Sequence, residues 1–196
     1  MKIGLDFDNT IVGYDSLFAR VAIEGGLVPP QTPPSKLAVR DHLRQTGREP
    51  VWTELQGVVY GARMMEAEAF PGVLDFMAWA RGHGIALSIV SHRTRQPFLG
   101  PPFDLHQAAR DWTARFLTNA VIPDERIFFE TTKDAKLARI AEGGFDYFLD
   151  DLPEILTAPG FPAATTPLLF GAAQAPAGMI RLADWDEVRA FVAARC

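Results

Sequence analysis

The sequence is poor in cysteine and in long apolar runs. Its 196 residues include one cysteine, Cys196, at the last position, which excludes an internal disulfide framework and indicates no thiolate metal site or buried cysteine nucleophile. No apolar run approaches the roughly 20 residues that a helix needs to cross a bilayer. The first residues also lack the basic and apolar regions of a signal peptide. We therefore expect a cytoplasmic protein with no membrane partner.

Positive charge is also sparse. The chain has 19 Lys and Arg against 24 Asp and Glu, which gives a formal net charge of -5. The longest basic cluster, residues 92–95, is too short for a nucleic-acid track, so we expect no nucleic-acid partner. A small phosphorylated ligand needs only a few local cations and stays compatible with this charge balance. The sequence does not indicate an oligomeric state.

The hydrophobic pattern changes type along the chain. A short apolar segment before Asp6 predicts a strand, whereas residues 14–69 show helical spacing and no convincing strand. Beyond Phe70-Pro71-Gly72, helices and strands alternate, which is typical of a parallel sheet. The predicted helices are 16–23, 33–45, 51–68, 73–82, 105–118, 133–142 and 185–194, and the later strands are 85–90, 126–129, 145–149 and 167–170. We therefore predict an α/β core with an all-helical insertion after its first strand.

Polar side chains follow four of the predicted strands. In chain order they are Asp6 and Asp8, then Ser91 with His92 and Arg93, then Lys133 and Lys136 across a short loop, and finally Asp150 and Asp151. In open parallel sheets, ligands bind outside the carboxyl ends of the strands. The sequence therefore predicts that these side chains meet in one site.

The chemistry of such a set indicates a cation and a phosphoryl group. Two carboxylates at about 4 Å repel by roughly 4 kcal/mol at an intermediate effective dielectric, so a cluster needs a positive partner. Donors that are all oxygen favour a hard cation, and no His or Cys is spaced for zinc. Mg²⁺ takes one or two carboxylates and leaves positions for phosphate oxygens. A carboxylate can also attack phosphorus, and a second one can move the proton.

This constellation resembles the haloacid dehalogenase (HAD) superfamily of phosphatases and phosphotransferases. The family's first motif, Asp-x-Asp-x-Thr after a hydrophobic strand, is matched by residues 6–10, and its second, a Ser or Thr closing the next core strand, by Ser91. The paired acids of the fourth motif are matched by residues 150–151. The third motif, a lysine at a helix start, is matched best by Lys133, with Lys136 as the alternative.

The resemblance implies a domain organisation. Residues 1–13 and 70–196 are expected to form a Rossmann-like, three-layer HAD core with a central parallel sheet. Residues 14–69 are expected to form a small helical cap that closes over the substrate.

The resemblance also implies roles for individual residues. Asp6 is the expected nucleophile and Asp8 the general acid/base. Ser91 and the motif lysine bind the phosphoryl group. The expected Mg²⁺ ligands are Asp6, Asp8 through its backbone carbonyl, Asp150 and Asp151, with Asp151 the preferred direct ligand of the last two. Substrate-binding candidates are Asn9, Thr10, Lys136, His92 and Arg93, of which the last two are equally compatible with an exposed loop.

The acid at position 8 narrows the expected reaction. Dehalogenases of the superfamily lack an acid there, transport ATPases carry Thr, and phosphonatases carry a small residue. The resemblance therefore implies a Mg²⁺-dependent phosphatase that acts on a small phosphorylated metabolite through an aspartyl-phosphate on Asp6. The alternatives are a phosphomutase or phosphotransferase of the same superfamily and a non-catalytic binding protein that keeps the fold. A nucleic-acid end phosphatase is disfavoured by the acidic charge balance.

Overall fold

The computed structural model describes residues 1–117, 122–171 and 174–196. Along the chain the elements are β1 (Lys2–Leu5), β2 (Val12–Gly13), α1 (Asp15–Glu24), α2 (Lys36–Gln45), α3 (Glu49–Tyr60), β3 (Glu68–Ala69), α4 (Val73–Gly82), β4 (Ala86–His92), α5 (Leu105–Phe116), β5 (Ile127–Glu130), α6 (Lys133–Gly143), β6 (Tyr147–Asp150), α7 (Pro153–Leu156), β7 (Thr166–Phe170), β8 (Ile180–Leu182) and α8 (Trp185–Ala193). Short 3-10 turns lie at Met64–Glu66 and Asp124–Arg126.

The chain divides into two compact units. The first, which we call the sheet unit, comprises Met1–Val12, Ala69–Arg93 and Leu117–Cys196. The second, which we call the helical unit, comprises Gly13–Glu68 and Thr94–Phe116. The helical unit therefore contains residues 94–116 in addition to the segment expected to form the cap.

The sheet unit contains a six-stranded sheet in the order β5-β4-β1-β6-β7-β8, and every neighbouring pair is parallel. This confirms the predicted α/β core with a central parallel sheet. Central strands of such sheets are covered on both faces and are apolar throughout. Accordingly, Ile3 and Leu5 of β1 and Phe148 and Leu149 of β6 are all buried.

The register of the central strands sets the position of the polar residues. Leu5 of β1 is level with Ile89 of β4 and with Leu149 of β6. The next residue, Asp6, donates its backbone N–H to the carbonyl of Leu149 at 2.8 Å. Gly4 allows the ring of Phe145 to pack closely against β1, because a Cβ at residue 4 would lie 2.9 Å from that ring. The carboxyl ends of β1 and β6 therefore lie side by side.

The helical unit is held together by aromatic packing and by close contacts at Gly57 of α3 and at Gly61, which directly follows that helix. The rings of Phe18 and Trp52 lie 5.1 Å apart. A Cβ at Gly57 would lie 2.8 Å from Pro97, and one at Gly61 would lie 2.6 Å from Phe103. The segment that follows residue 93 thus packs directly on α3, which explains why it belongs to this unit rather than to the core.

Several predicted boundaries differ from the observed ones. Helix α2 begins at Lys36 instead of 33, because the Ser35 hydroxyl accepts the N–H of Ala38 and caps the helix there. Helix α3 ends at Tyr60, well before residue 68. The strands β2, β3 and β8 and the short helix α7 were not predicted, and β3 falls in the stretch expected to lack strands. The predicted end of α5 at Thr118 lies outside the described residues.

Among the described residues, no helix combines the length and the apolar character that a membrane span requires.

Candidate active site

Two buried carboxylates share one buried ammonium at the carboxyl ends of β1 and β6. The Nζ of Lys136 donates to Oδ1 of Asp6 and to Oδ2 of Asp150, at 2.6 Å in both cases. The relative exposure of Asp6, Lys136 and Asp150 is 4%, 2% and 0%. Charges as deeply buried as these are stable only when they are paired and hydrogen-bonded. The second oxygen of Asp150 meets this requirement by accepting the N–H of Leu152 at 2.9 Å.

A third carboxylate, that of Asp151, adjoins this group. Oxygen atoms of Asp6, Asp150 and Asp151 lie within 4.8 Å of one another. Lys136 supplies one positive charge against these three carboxylates, so the cluster carries excess negative charge when all of them are ionised. An all-oxygen donor set of this size suits a hard divalent cation such as Mg²⁺. The side chains present therefore fit the metal that the sequence predicts.

The crowding of these carboxylates raises their pKa values. Burial raises the pKa of Asp6 from 3.8 to about 7, with further contributions from the charges of Asp150 and Asp8 and opposition from Lys136. Burial, with the charges of Asp6 and Asp150, raises the pKa of Asp151 to about 8. The pKa of Asp150 is raised by burial as well. Burial alone would lower the pKa of Lys136, but the charges of its two carboxylate partners raise it above the usual lysine value.

Asp8 lies in a separate ion pair. Nη2 of Arg93 donates to one oxygen of its carboxylate, and Nε donates to the other at 3.3 Å. The Arg93 side chain is 4% exposed and that of Asp8 is 23% exposed. The guanidinium also lies 5.6 Å from the ring centroid of Phe7, and the backbone N–H of Arg93 donates to the carbonyl of Glu130 at 2.8 Å. A two-point contact of this kind fixes the orientation of a carboxylate as well as its position.

Solved structures with similar folds were found for the whole chain. A HAD family hydrolase from Deinococcus radiodurans, solved with bound phosphate and sodium, is 18% identical with a TM-score of 0.63, covering 98% of this chain and 95% of its own. A predicted phosphoglycolate phosphatase from Haemophilus somnus is 12% identical with a TM-score of 0.56, covering 97% and 96%. The L-2-haloacid dehalogenase RSc1362 is 14% identical with a TM-score of 0.59, covering 98% of both chains.

The chain has the fold of the HAD superfamily. No protein-family model matches it, and no curated protein sequence does either. The solved structures that share the HAD fold include both a phosphatase and a dehalogenase by name. Fold similarity at these identities therefore leaves the reaction to be argued from the site itself.

The structure of this HAD fold corrects the choice between the two lysines. Lys136, the alternative, lies between the carboxylates, whereas Lys133 donates to the backbone carbonyl of Glu154 at 2.7 Å and is not part of the cluster. Both lysines share a helix face with Leu137 and Ile140, so spacing alone does not separate them. Lys133 is the first residue of α6, and Lys136 lies almost one turn further in, where its side chain is buried.

Of the other predicted residues, Ser91 and Thr10 are buried, whereas Asn9 lies in a turn and His92 is exposed. Ser91 is buried near the end of β4, and Thr10 is fully buried with no hydrogen-bond partner for its hydroxyl among the described residues. Asn9 has a positive φ of 57°, which is the left-handed conformation that Asn tolerates in a turn. The side chain of His92 is exposed at the end of β4. The pairing of Arg93 with Asp8 was missed, and its only sequence signal was an arginine two residues beyond Ser91.

The raised pKa values predict an unusual dependence of stability on pH in the metal-free protein. Between about pH 5 and 7 the folded chain holds protons on Asp6 and Asp151 that the unfolded chain has released. The free energy of unfolding should therefore fall as pH rises, by about 1.4 kcal/mol per pH unit for each of the two carboxyl groups. Urea denaturation in EDTA at several pH values measures this slope, and Mg²⁺ should restore stability at pH 8 more than at pH 5.

Two variants sharpen the measurement. Asp151→Asn should flatten the slope, whereas Asp75→Asn, which changes an exposed carboxylate on α4, should leave it intact. A metal-free protein whose stability increases with pH over this range would contradict the electrostatic description of the cluster.

The two lysines of α6 provide a matched pair of substitutions. Lys136→Met leaves two buried carboxylates without their shared cation and should cost about 3 kcal/mol of unfolding free energy at pH 8 without metal. Lys133→Met removes an exposed hydrogen bond and should cost less than about 1 kcal/mol. Chemical denaturation of both variants tests this, and similar losses would show that Lys136 does not carry the cluster.

Proposed function

We propose that this chain is a Mg²⁺-dependent phosphohydrolase that removes phosphate from a small phosphorylated metabolite through an aspartyl-phosphate on Asp6. The observation that carries the proposal is the buried Asp6–Lys136–Asp150 group with Asp151 beside it. Phosphoryl transfer requires a nucleophile next to concentrated positive charge, and a metal ion bound with Lys136 would supply that charge. When bound, Mg²⁺ would neutralise the carboxylates and polarise the phosphoryl oxygens.

The first chemical step uses Asp6 and Asp8. Lys136 binds Oδ1 of Asp6, and we assign the attack on phosphorus to Oδ2. A new bond forms between that oxygen and phosphorus while the ester P–O bond breaks. The departing oxygen takes a proton from the carboxyl group of Asp8, so the products are the free alcohol and the aspartyl-phosphate.

The second step returns the enzyme to its starting state. Asp8, now a carboxylate, removes a proton from a water molecule that attacks the phosphorus of the aspartyl-phosphate. The bond to Asp6 breaks, inorganic phosphate leaves, and Asp6 recovers its carboxylate. Ser91 and Lys136 are assigned to binding the phosphoryl oxygens during both steps.

Arg93 is assigned to positioning Asp8. Its guanidinium is buried, donates hydrogen bonds to both oxygens of Asp8 and lies against the ring of Phe7. An acid/base group must hold its proton within hydrogen-bond distance of the reacting oxygen, and a fixed carboxylate meets that demand better than a free one. The earlier alternatives for Arg93, a substrate contact or an exposed loop residue, are less compatible with this burial.

Three alternative functions are separated from the proposed one by analysis of turnover and products. A phosphomutase would return the phosphoryl group to another hydroxyl and would release little inorganic phosphate from a phosphosugar. A dehalogenase, as named among the similar structures, would release halide from a 2-haloacid. The carboxylate of Asp8 favours a reaction in which an alcohol must be protonated as it leaves. A binding protein without activity would show no turnover on a broad phosphomonoester panel.

The nucleophile is tested by Asp6→Asn. The variant should lose at least about 10³-fold in kcat on every phosphomonoester that the wild type hydrolyses with Mg²⁺, since the amide does not form the covalent intermediate. Phosphate release across a panel of phosphorylated metabolites measures the activity. Asp146→Asn, which changes a carboxylate at the amino end of β6, should keep wild-type turnover. Substantial activity in Asp6→Asn would rule out the assignment.

The positioning role of Arg93 is tested by the leaving group. Arg93→Met should reduce kcat on an alkyl phosphate about tenfold more than on p-nitrophenyl phosphate, because nitrophenolate departs without help from an acid. Arg95→Met removes an exposed arginine of the neighbouring loop and should affect both substrates equally. Equal losses on the two substrates in Arg93→Met would reduce its role to structural support.

A further inference from the structure

A concave site lies in the sheet unit, at the opposite ends of the strands from the carboxylates. It is a cavity of about 420 Å³, lined by the amino ends of β1, β4 and β5 and by the last turns of α6. Lys2 and Asp6 mark the two ends of β1, and four residues of strand correspond to about 13 Å. Cavities of this volume are within the range that binds small molecules. The proposed reaction does not use this cavity.

The cavity lining contains more positive than negative side chains, although the net charge of the protein is -5. Lys2, Arg126 and Arg139 all line the cavity. Arg139 is neutralised by Glu130 at 2.9 Å and by Glu142 at 2.7 Å. Lys2 and Arg126 form no ion pair within the described part of the chain. Lys2 and Arg126 are therefore the two cations that can bind an anionic ligand. The one carboxylate in the lining is already paired with Arg139.

The other lining groups are flat or apolar. The guanidinium of Arg139 stacks 4.6 Å from the ring centroid of Phe128, and the two salt bridges hold it there. Phe145, which is 5% exposed, and Ala86 add apolar surface. A fixed guanidinium stacked on an aromatic ring offers a planar surface to a flat ligand. Ser88, whose side chain carries a hydroxyl, also lines the cavity.

We infer that this cavity binds a small organic anion, with its phosphate or carboxylate group held by Lys2 and Arg126 and a planar body against Arg139 and Phe145. The site is for binding and not for chemistry, since the lining groups include no nucleophile paired with a base. Helix α6 connects it to the catalytic cluster, because Arg139 follows Lys136 by three residues on the same helix. A ligand here therefore contacts the element that positions the catalytic lysine.

Binding of AMP to the Mg²⁺-loaded protein tests the inference. Calorimetric titration of AMP is performed in parallel on the wild type and on the double variants described below, so that AMP binding at the catalytic site that they share contributes equally to all of them. AMP should bind, and adenosine, which lacks the anionic group, should bind more weakly. The double variant Lys2→Glu with Arg126→Glu should weaken AMP binding by about tenfold or more. Its turnover of phosphomonoesters without AMP should equal that of the wild type.

The matched control is the double variant Arg81→Glu with Arg189→Glu. It changes the net charge by the same amount through exposed residues of α4 and α8, outside the cavity lining. AMP binding should be within about twofold of wild type in this control. Two results would overturn the inference: no AMP binding at millimolar concentration, or equal AMP affinity in the two double variants. Neither depends on whether Asp6 is the nucleophile.

Discussion

The buried contact of Lys136 with Asp6 and Asp150 is the interaction on which the candidate site depends. Two carboxylates at the ends of neighbouring strands repel strongly in a medium of low dielectric. Without a cation between them, they would move apart or one of them would become protonated. One ammonium at 2.6 Å from both carboxylates holds them together. The compensation is incomplete, because Asp151 adds a third negative charge. That deficit of positive charge is what makes the cluster a candidate cation site.

The rest of the sheet unit serves to bring these groups together. The parallel register of β1 with β6 places Asp6 next to Asp150, and α6 carries the lysine back across the sheet to both. Apolar residues of the central strands are buried on both faces, so a slip of one residue would exchange the side chains that pack on the two faces of the sheet. Hydrophobic burial thus fixes the register that places the polar residues, and the contacts of Lys136 hold their charges together.

The sequence predicts the fold and most of the cluster for the same physical reason. Polar residues that directly follow short apolar strands can be recognised in the sequence. Parallel topology then brings Asp6, Ser91 and Asp150 to one edge of the sheet. The choice between Lys133 and Lys136 was wrong because both share the face of Leu137 and Ile140. The two lysines differ in how deeply each is buried when α6 packs in the fold. That difference depends on tertiary packing and is not visible in the sequence.

The contact between Arg93 and Asp8 was beyond sequence reasoning for a related reason. It joins residues 85 positions apart, and an arginine in a polar loop is more commonly exposed. The structure also shows where the chain leaves the sheet unit. It does so just after the first motif, at Val12, and just after the second, at Arg93. Both segments of the helical unit therefore begin shortly after a residue of the candidate site in the chain, because Gly13 is five positions beyond Asp8 and Thr94 directly follows Arg93.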